Sequence, residues 1–349
     1  MEDMEKQIIK AYKGFDKYLC CRGFQFRIGE EFEKEGNIRC YNSGFHACTD
    51  PIEALYHYLP NGKNRFCEVE QYGTIDKSPF SSIQASSKIK IKAEIGVDGL
   101  IKTAIRLWRE EINPLLIIKE TKGKHDDPIA NFSHIGSSSS DHIISNGFNA
   151  KIGSNGPNTE ISASGTGTKI GSSGHNATIC TNGVIVKIGS CGVNAKIASS
   201  GHHARIISSG ANAAIASSGY SAEIGSSCFD AKISSSGISD TIGSSGKNVS
   251  ISSSGISATI GSSGRNARIS SSGDRAFIDS TGRCAVICCA GNGSIVKAKK
   301  GSWITLSEWA YSEKQKDMIP VCVKTEYVDG EHIKADTCYK LVDGEFVEV

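Results

Sequence analysis

Isoleucine recurs at every ninth residue from Ile143 to Ile287 without a missed step, and Val296 fills the next place. A flexible Gly/Ser linker has no reason to hold such a register. The fourth residue after each Ile is Gly in every repeat but one, where Cys228 stands. The second residue before it is mostly Ala, as at Ala150, Ala177, Ala204, Ala231 and Ala267. Residues two apart in a strand share a face, so Ala and Ile predict one apolar face on a short strand. The Gly predicts a sharp turn where φ can be positive. The Asn two residues later suits a turn or a ladder of stacked side chains. Each nonapeptide is therefore one strand and one turn. A single unit cannot bury its Ile alone, but stacked copies can.

The residue after Ile sets the coil. It is Gly at 153, 171, 189, 225, 243 and 261, with Ile207 and Asp279 as exceptions, and all of these belong to one alternate series. In the other series it is Ile, Ser, Ala or Cys and never Gly. The true period is thus eighteen residues. This predicts a mainly β chain built on a two-sheeted β-solenoid, two nonapeptides per coil, over residues 143–296. Roughly eight coils at about 4.8 Å per rung make a rod on the order of 40 Å long. Its open ladder ends need caps.

The flanks read differently. Residues 1–112 predict an α+β domain. "QIIKAYKGF", "FQFRIGEEF" and "RFCEVEQYG" alternate like strands, and "DPIEALYHYL" reads as a short helix with Asp50 as N-cap and Pro51 at its first position. "GLIKTAIRLWREEI" puts Leu100, Ile101, Ala104, Ile105, Trp108 and Ile112 on one helical stripe, ended by Pro114. Residues 113–142 are a polar transition. Residues 297–349 carry two Val-Asp-Gly-Glu stretches between strand-like runs, a hairpin signal, and predict a β cap.

Composition narrows the function classes without selecting one. The chain has 349 residues and a formal net charge of +2, so bulk charge argues for no partner. No signal-peptide pattern or membrane-length apolar run is seen, and no membrane partner is expected. The 13 Cys fit a reducing compartment, so a cytoplasmic location is expected.

"KAYKGFDKYLCCRGFQFRIGEEFE", "SGFHACTDPIEALYHYLP", "RFCEVEQYG" and "DGEHIKADTCYKLVDGEFVEV" resemble a family of uncharacterised proteins of phage and prophage genomes, many with Gly/Ser/Asn/Ala repeats between the end regions. The resemblance implies a bacterial host and no particular activity. "YKG", "GFHACT", the following helix and "RFCEVE" also resemble ADP-ribosyltransferase-like folds. That resemblance implies an NAD pocket near Tyr12, Lys13, Gly14, His46 and Thr49. It departs at Lys13, where such folds carry Arg or His. It departs again at His46-Ala47-Cys48-Thr49, in place of Ser-Thr-Ser. Glu68 and Glu70 follow the helix too soon for the usual Glu-x-Glu and read as one side of a strand.

Further sites carry plainer alternatives. Lys151, Lys169, Lys187 and Arg205 precede Ile in one series and form an outward column on adjacent rungs. They read as a solvated face or as an anion-binding stripe for nucleic acid phosphates or an acidic protein. The nonapeptide spacing resembles calcium-binding rolls, but Asn replaces Asp and the inward parity is shifted, so no calcium is expected. Cys40, His46 and Cys48 lack a paired C-x-x-C, so no zinc is expected. The repeated "GSSG" turns are not nucleotide loops. Three functions follow. The first is a non-enzymatic protein binding a host macromolecule, chiefly a host protein, without cofactor, its solenoid a rigid scaffold. The second is an NAD- or nucleotide-binding enzyme through residues 1–112. The third is a structural virion component.

Overall fold

Ten coils stack in register, half a coil more at each end than the nine-residue count alone reveals. The computed structural model describes residues 8–58, 63–79, 81–111 and 131–349. It divides into two units, Met1–Ala104 and Ile105–Val349.

The first unit is a sheet of order β4-β7-β5-β1-β6. Its strands are β1 (Ile9–Phe15), β2 (Cys20–Cys21), β3 (Phe24–Gln25), β4 (Glu31–Glu33), β5 (Phe45–Cys48), β6 (Arg65–Lys77) and β7 (Ile83–Glu94), with β2 and β3 forming a separate hairpin. The long β7 pairs with both β5 and β6, so the sheet closes on itself around β1. Ala11, Phe15, Phe26, Phe45, Val69, Ile89 and Ile91 fill one core cluster. Gln71 stitches the strands from inside, its amide donating to Phe45 O at 2.7 Å and accepting from Gln84 at 2.9 Å.

Two local expectations shift. "FQFRIGEEF" is split into β3 and β4 because Gly29 takes φ +87° between them. Helix α1 (Glu53–His57) begins after Ile52, and Asp50 accepts from Ile52 N at 3.0 Å in the turn before it. Asp50 thus serves an Asx-type turn, not the helix cap itself. Helix α2 (Gly96–Glu111) follows β7 and buries Leu100, Ile101 and Ala104. The side chains of Ile105 and Trp108, and residues 112–130 with Ile112 and Pro114, lie outside the described residues.

In the second unit each rung is a four-residue strand, and strands eighteen apart pair in parallel, as Lys151↔Lys169 and Ile152↔Ile170. One sheet carries the Gly series; the other carries the Ser, Ala and Cys series and is called the serine sheet. The seventeen Ile of the nine-residue series from 143 to 287 pair Ile over Ile, and those of the series between 152 and 278 are at most 2 % exposed. The ladder extends past both ends of the nine-residue pattern. His134–Ser137 pairs with Lys151–Ser154, and Trp303–Leu306 pairs with Val286–Cys289. Ile135 stands eight residues before Ile143 and Ile304 eight after Val296, so a strict count of nine steps over both.

The turn glycine has a different reason from the expected one. It does not take positive φ; that falls two residues later, as at Asn158, Asn176 and Asn194 (φ 53–58°). Asn enters this left-handed region more readily than most residues. The Gly is favoured because coils stack closely through it, with Cys228 the one departure. A Cβ at Gly264 would stand 1.7 Å from the carbonyl oxygen of Gly246 one coil earlier. The Asn side chains form the expected ladder, Asn176 to Asn158, Asn194 to Asn176 and Asn212 to Asn194, at 3.0, 3.0 and 3.2 Å.

Both sheets end in antiparallel strands at the C-terminal side. Trp303–Ser312 folds back on Asp317–Tyr327, and Cys338–Val342 pairs with Val296–Lys297 and with Glu345–Glu348. Only the second Val-Asp-Gly-Glu is a hairpin, with Asp343 and Gly344 at φ 52° and 73°. In the first, Asp329 accepts from Glu331 N and Ile333 N and holds an irregular loop.

Candidate functional site

The central strand β1 places three of the expected pocket residues in a row. Tyr12, Lys13 and Gly14 line a cleft of about 660 Å³ in the first unit, with His46 and Cys48 from β5, Cys21, Arg22, Phe24 and Phe26 from the β2–β3 hairpin, and His57 and Tyr58 at the end of α1. The antiparallel register Tyr12↔Cys48 sets His46 across from Gly14. A Cβ on Gly14 would lie 2.6 Å from the ring of Tyr58, so only glycine lets that ring close over the strand. Thr49, the fifth expected residue, is exposed and does not line the cleft; its N–H donates to Ser82 O at 3.0 Å.

Lys13 is the chemical centre. Its side chain is 6 % exposed, and its ammonium donates to His46 O at 2.8 Å and lies 3.4 Å from Cys21 Sγ. The same ammonium stands 5.4 and 5.7 Å from the ring centroids of Phe15 and Phe26, a cation–π setting. Burial lowers the Lys13 pKa from its ordinary value, partly countered by the Cys21 sulfur. Burial likewise lowers the pKa of His46, and the Lys13 charge lowers it further. His46 Nε2 is buried with no hydrogen-bond partner. The Cys48 thiol is pushed up to about 12, burial first and the Glu53 carboxylate second, so it stays protonated.

The hairpin that brings Cys21 and Arg22 to this cleft was not read from the sequence. Arg22 and Gly23 form its two-residue turn with φ 51° and 78°, both positive as a type I′ turn requires. "CCRGF" carries the signal in its Arg-Gly pair. Lys34, Arg22 and His57 are exposed around the cleft, and among the described lining residues the one carboxylate is Glu33, paired with Lys88 at 2.9 Å. Glu68 and Glu70 stand outside it, paired with Lys10 and Lys92 at 2.8 and 3.1 Å. Among the described residues no three His, Cys, Asp or Glu side chains gather as a metal site.

On the solenoid, Lys151, Lys169, Lys187 and Arg205 do stack on adjacent rungs. They are half-buried, and Arg205 pairs with Glu223 of the next rung at 2.5 Å. The outward column of this sheet continues into buried Glu223, Thr241 and Phe277, whereas the outward positions of the serine sheet are mostly exposed. The exposed cations that sequence reading passed over are Lys247, Arg265 and Arg283 in the turns leading into the serine sheet.

Residues 9–103, the stretch that holds "YKGF", "CRGF" and "GFHAC", match a family described as a domain of unknown function (DUF7666). No curated protein and no solved structure matches the chain.

Proposed function

We propose that this chain is a binding protein whose N-terminal cleft takes a small anionic ligand of the nucleotide class, while the solenoid is a rigid scaffold for a macromolecular partner. The observation that carries the first part is the buried Lys13 ammonium facing a cleft rimmed by Arg22, Lys34 and His57. A desolvated ammonium attracts an anion more strongly than one in water. The aromatic wall of Phe24, Phe26 and Phe45 supplies flat apolar surface for a ring. Binding is favoured over group transfer because the lining carboxylate Glu33 is exposed and ion-paired, and Glu68 and Glu70 lie elsewhere. On this reading the protein is of phage or prophage type and works in the cytoplasm of a bacterial host. All 13 cysteines are free thiols, which supports a reducing setting. No helix among the described residues is long and apolar enough to cross a membrane.

The test is calorimetric titration with AMP, ADP-ribose and NAD. At least one should bind at a single site with an affinity that falls as salt rises. Arg22→Ala, at an exposed position, should weaken it about tenfold or more, Lys13→Met should abolish it, and Thr49→Ala should leave it unchanged. Failure of every such anion to bind the parent protein removes the cleft reading. For the scaffold, a pull-down from host lysate that recovers only the bait counts against a macromolecular partner.

A further inference from the structure

We propose that the solenoid binds single-stranded nucleic acid across one corner and the exposed face of its serine sheet, between Phe229 and Tyr327. This names the class of the macromolecular partner and rests on the scaffold reading above.

The corner is a stack of cations. The backbone N–H groups of Asp230, Asn248 and Asn266 donate to the carbonyls of Lys247, Arg265 and Arg283 at 3.0, 2.9 and 3.0 Å, so these three bases occupy one turn position on successive coils. All three are exposed. Around the corner, Lys232 and Arg268 point outward from the face, two rungs apart through Ser250. Among the described residues, none of these five cations forms an ion pair. Asp230, the carboxylate within the patch, accepts from Asn248.

Aromatic faces lie in the same rows. The column of Arg268 continues through Val286 and Trp303 to Tyr327 by direct strand pairing. Trp303 is 50 % and Tyr327 43 % exposed, with ring centroids 5.1 Å apart. Phe229, 62 % exposed, precedes Lys247 in the corner column. Small side chains (Ser234, Ser252, Ser270 and Cys288) line the next outward column of the face, beside Lys232 and Arg268.

Like charges on neighbouring rungs repel. A phosphate chain relieves that repulsion, and its binding is driven by release of the counterions condensed on the nucleic acid. Uncovered aromatic rings beside such a track are stacking platforms for unpaired bases. An acidic peptide without apolar or aromatic side chains would use the cations and leave the rings idle. This distinction selects single strands over such a peptide.

The experiment is fluorescence anisotropy of the full chain with a labelled oligothymidylate over a salt series. Saturable binding is expected, with a log–log salt slope of about −0.7 per neutralised phosphate, hence about −3.5 for five contacts. The double variant Arg265→Ala/Arg283→Ala should bind at least tenfold more weakly with a shallower slope. Trp303→Ala should bind more weakly with the slope unchanged, and Tyr327→Ala likewise. These side chains are exposed, and unchanged melting curves establish that each variant is folded. Absence of saturable binding at low salt overturns the proposal. So does displacement by polyglutamate as effective as by unlabelled oligonucleotide, with Trp303→Ala without effect. A parallel pull-down from nuclease-treated lysate separates the two levels. A protein captured by the parent and lost in the double variant, with no oligonucleotide binding, overturns the nucleic acid while the scaffold reading stands; capture of neither removes both.

Discussion

Asn248 donates its side-chain N–H to Asp230 Oδ1 one coil earlier at 3.0 Å, and the Asp230 side chain has no N–H to pass on to Asn212. The asparagine ladder is therefore two ladders. One runs from Asn158 to Asn212, the other from Asp230 to Asn266. Asp230→Asn should join them, since residue 230 already sits at φ 55°, a conformation Asn accepts. The added bond should stabilise the solenoid by about 0.5–1.5 kcal/mol, seen as a higher urea midpoint. An unchanged or lower midpoint would show that the ladder contributes nothing net.

The isoleucine seam should respond to charge far more than to volume. Ile242 is fully buried and Ile215 is 2 % exposed. Ile242→Ala should cost about 2–5 kcal/mol through lost contacts and a cavity. Ile242→Lys or Ile215→Asp should cost more, because the charge has no partner inside the seam. Limited proteolysis with thermal melting checks this. Lysine or aspartate variants as resistant as the parent would contradict a dry seam.

Gly264→Ala tests the stacking argument for the turn. The added methyl would meet the Gly246 carbonyl at 1.7 Å and its carbon at 2.7 Å, both backbone atoms that cannot swing aside. A loss of about 1–3 kcal/mol is expected in chemical denaturation. Ser263→Ala beside it, at a half-buried turn position, is the control and should be close to neutral.

Asp240 should make the rod sensitive to pH. It is fully buried at a position that is Ala on both neighbouring coils, Ala222 and Ala258. It accepts from Ala222 N at 2.8 Å and from the Ser235 hydroxyl. Burial raises its pKa above the ordinary value, and these hydrogen bonds only partly offset the shift. A raised folded-state pKa means the protonated form is favoured in the fold. Its stabilisation is complete below the unfolded value near ~3.9 and is lost as pH rises through the folded value. Asp240→Ala removes that dependence. Its stability relative to the parent should therefore improve from pH 4 to pH 7, as read from paired urea midpoints. A difference that stays flat or moves the other way would refute the assignment.

The interior of the rod was legible because one side-chain type repeats at a fixed spacing and parity converts spacing into facing. The glycine restricted to one series gave the coil length. The end rungs were hidden by a single missing residue on each side, at Ile135 and Ile304, which breaks the count without breaking the hydrogen bonding. Half-burial of Lys151 and Lys169 could not be read, because parity tells which way a residue points and not what covers it. In the first unit, Tyr12, Lys13, Gly14 and His46 line one cleft. Arg22, Cys21 and Tyr58 join them through a hairpin and a helix end, which depend on tertiary packing and leave only a short turn signal in sequence.

The eighteen-residue coil also sets how such a chain can change length. Inserting or deleting one full coil moves the C-terminal hairpins by a rung and hands them the same two sheets to close. A nine-residue change would deliver each closing strand to the opposite sheet, with glycine columns meeting bulky ones. Length variation in relatives built this way should therefore fall in multiples of the coil, leaving both termini as they are.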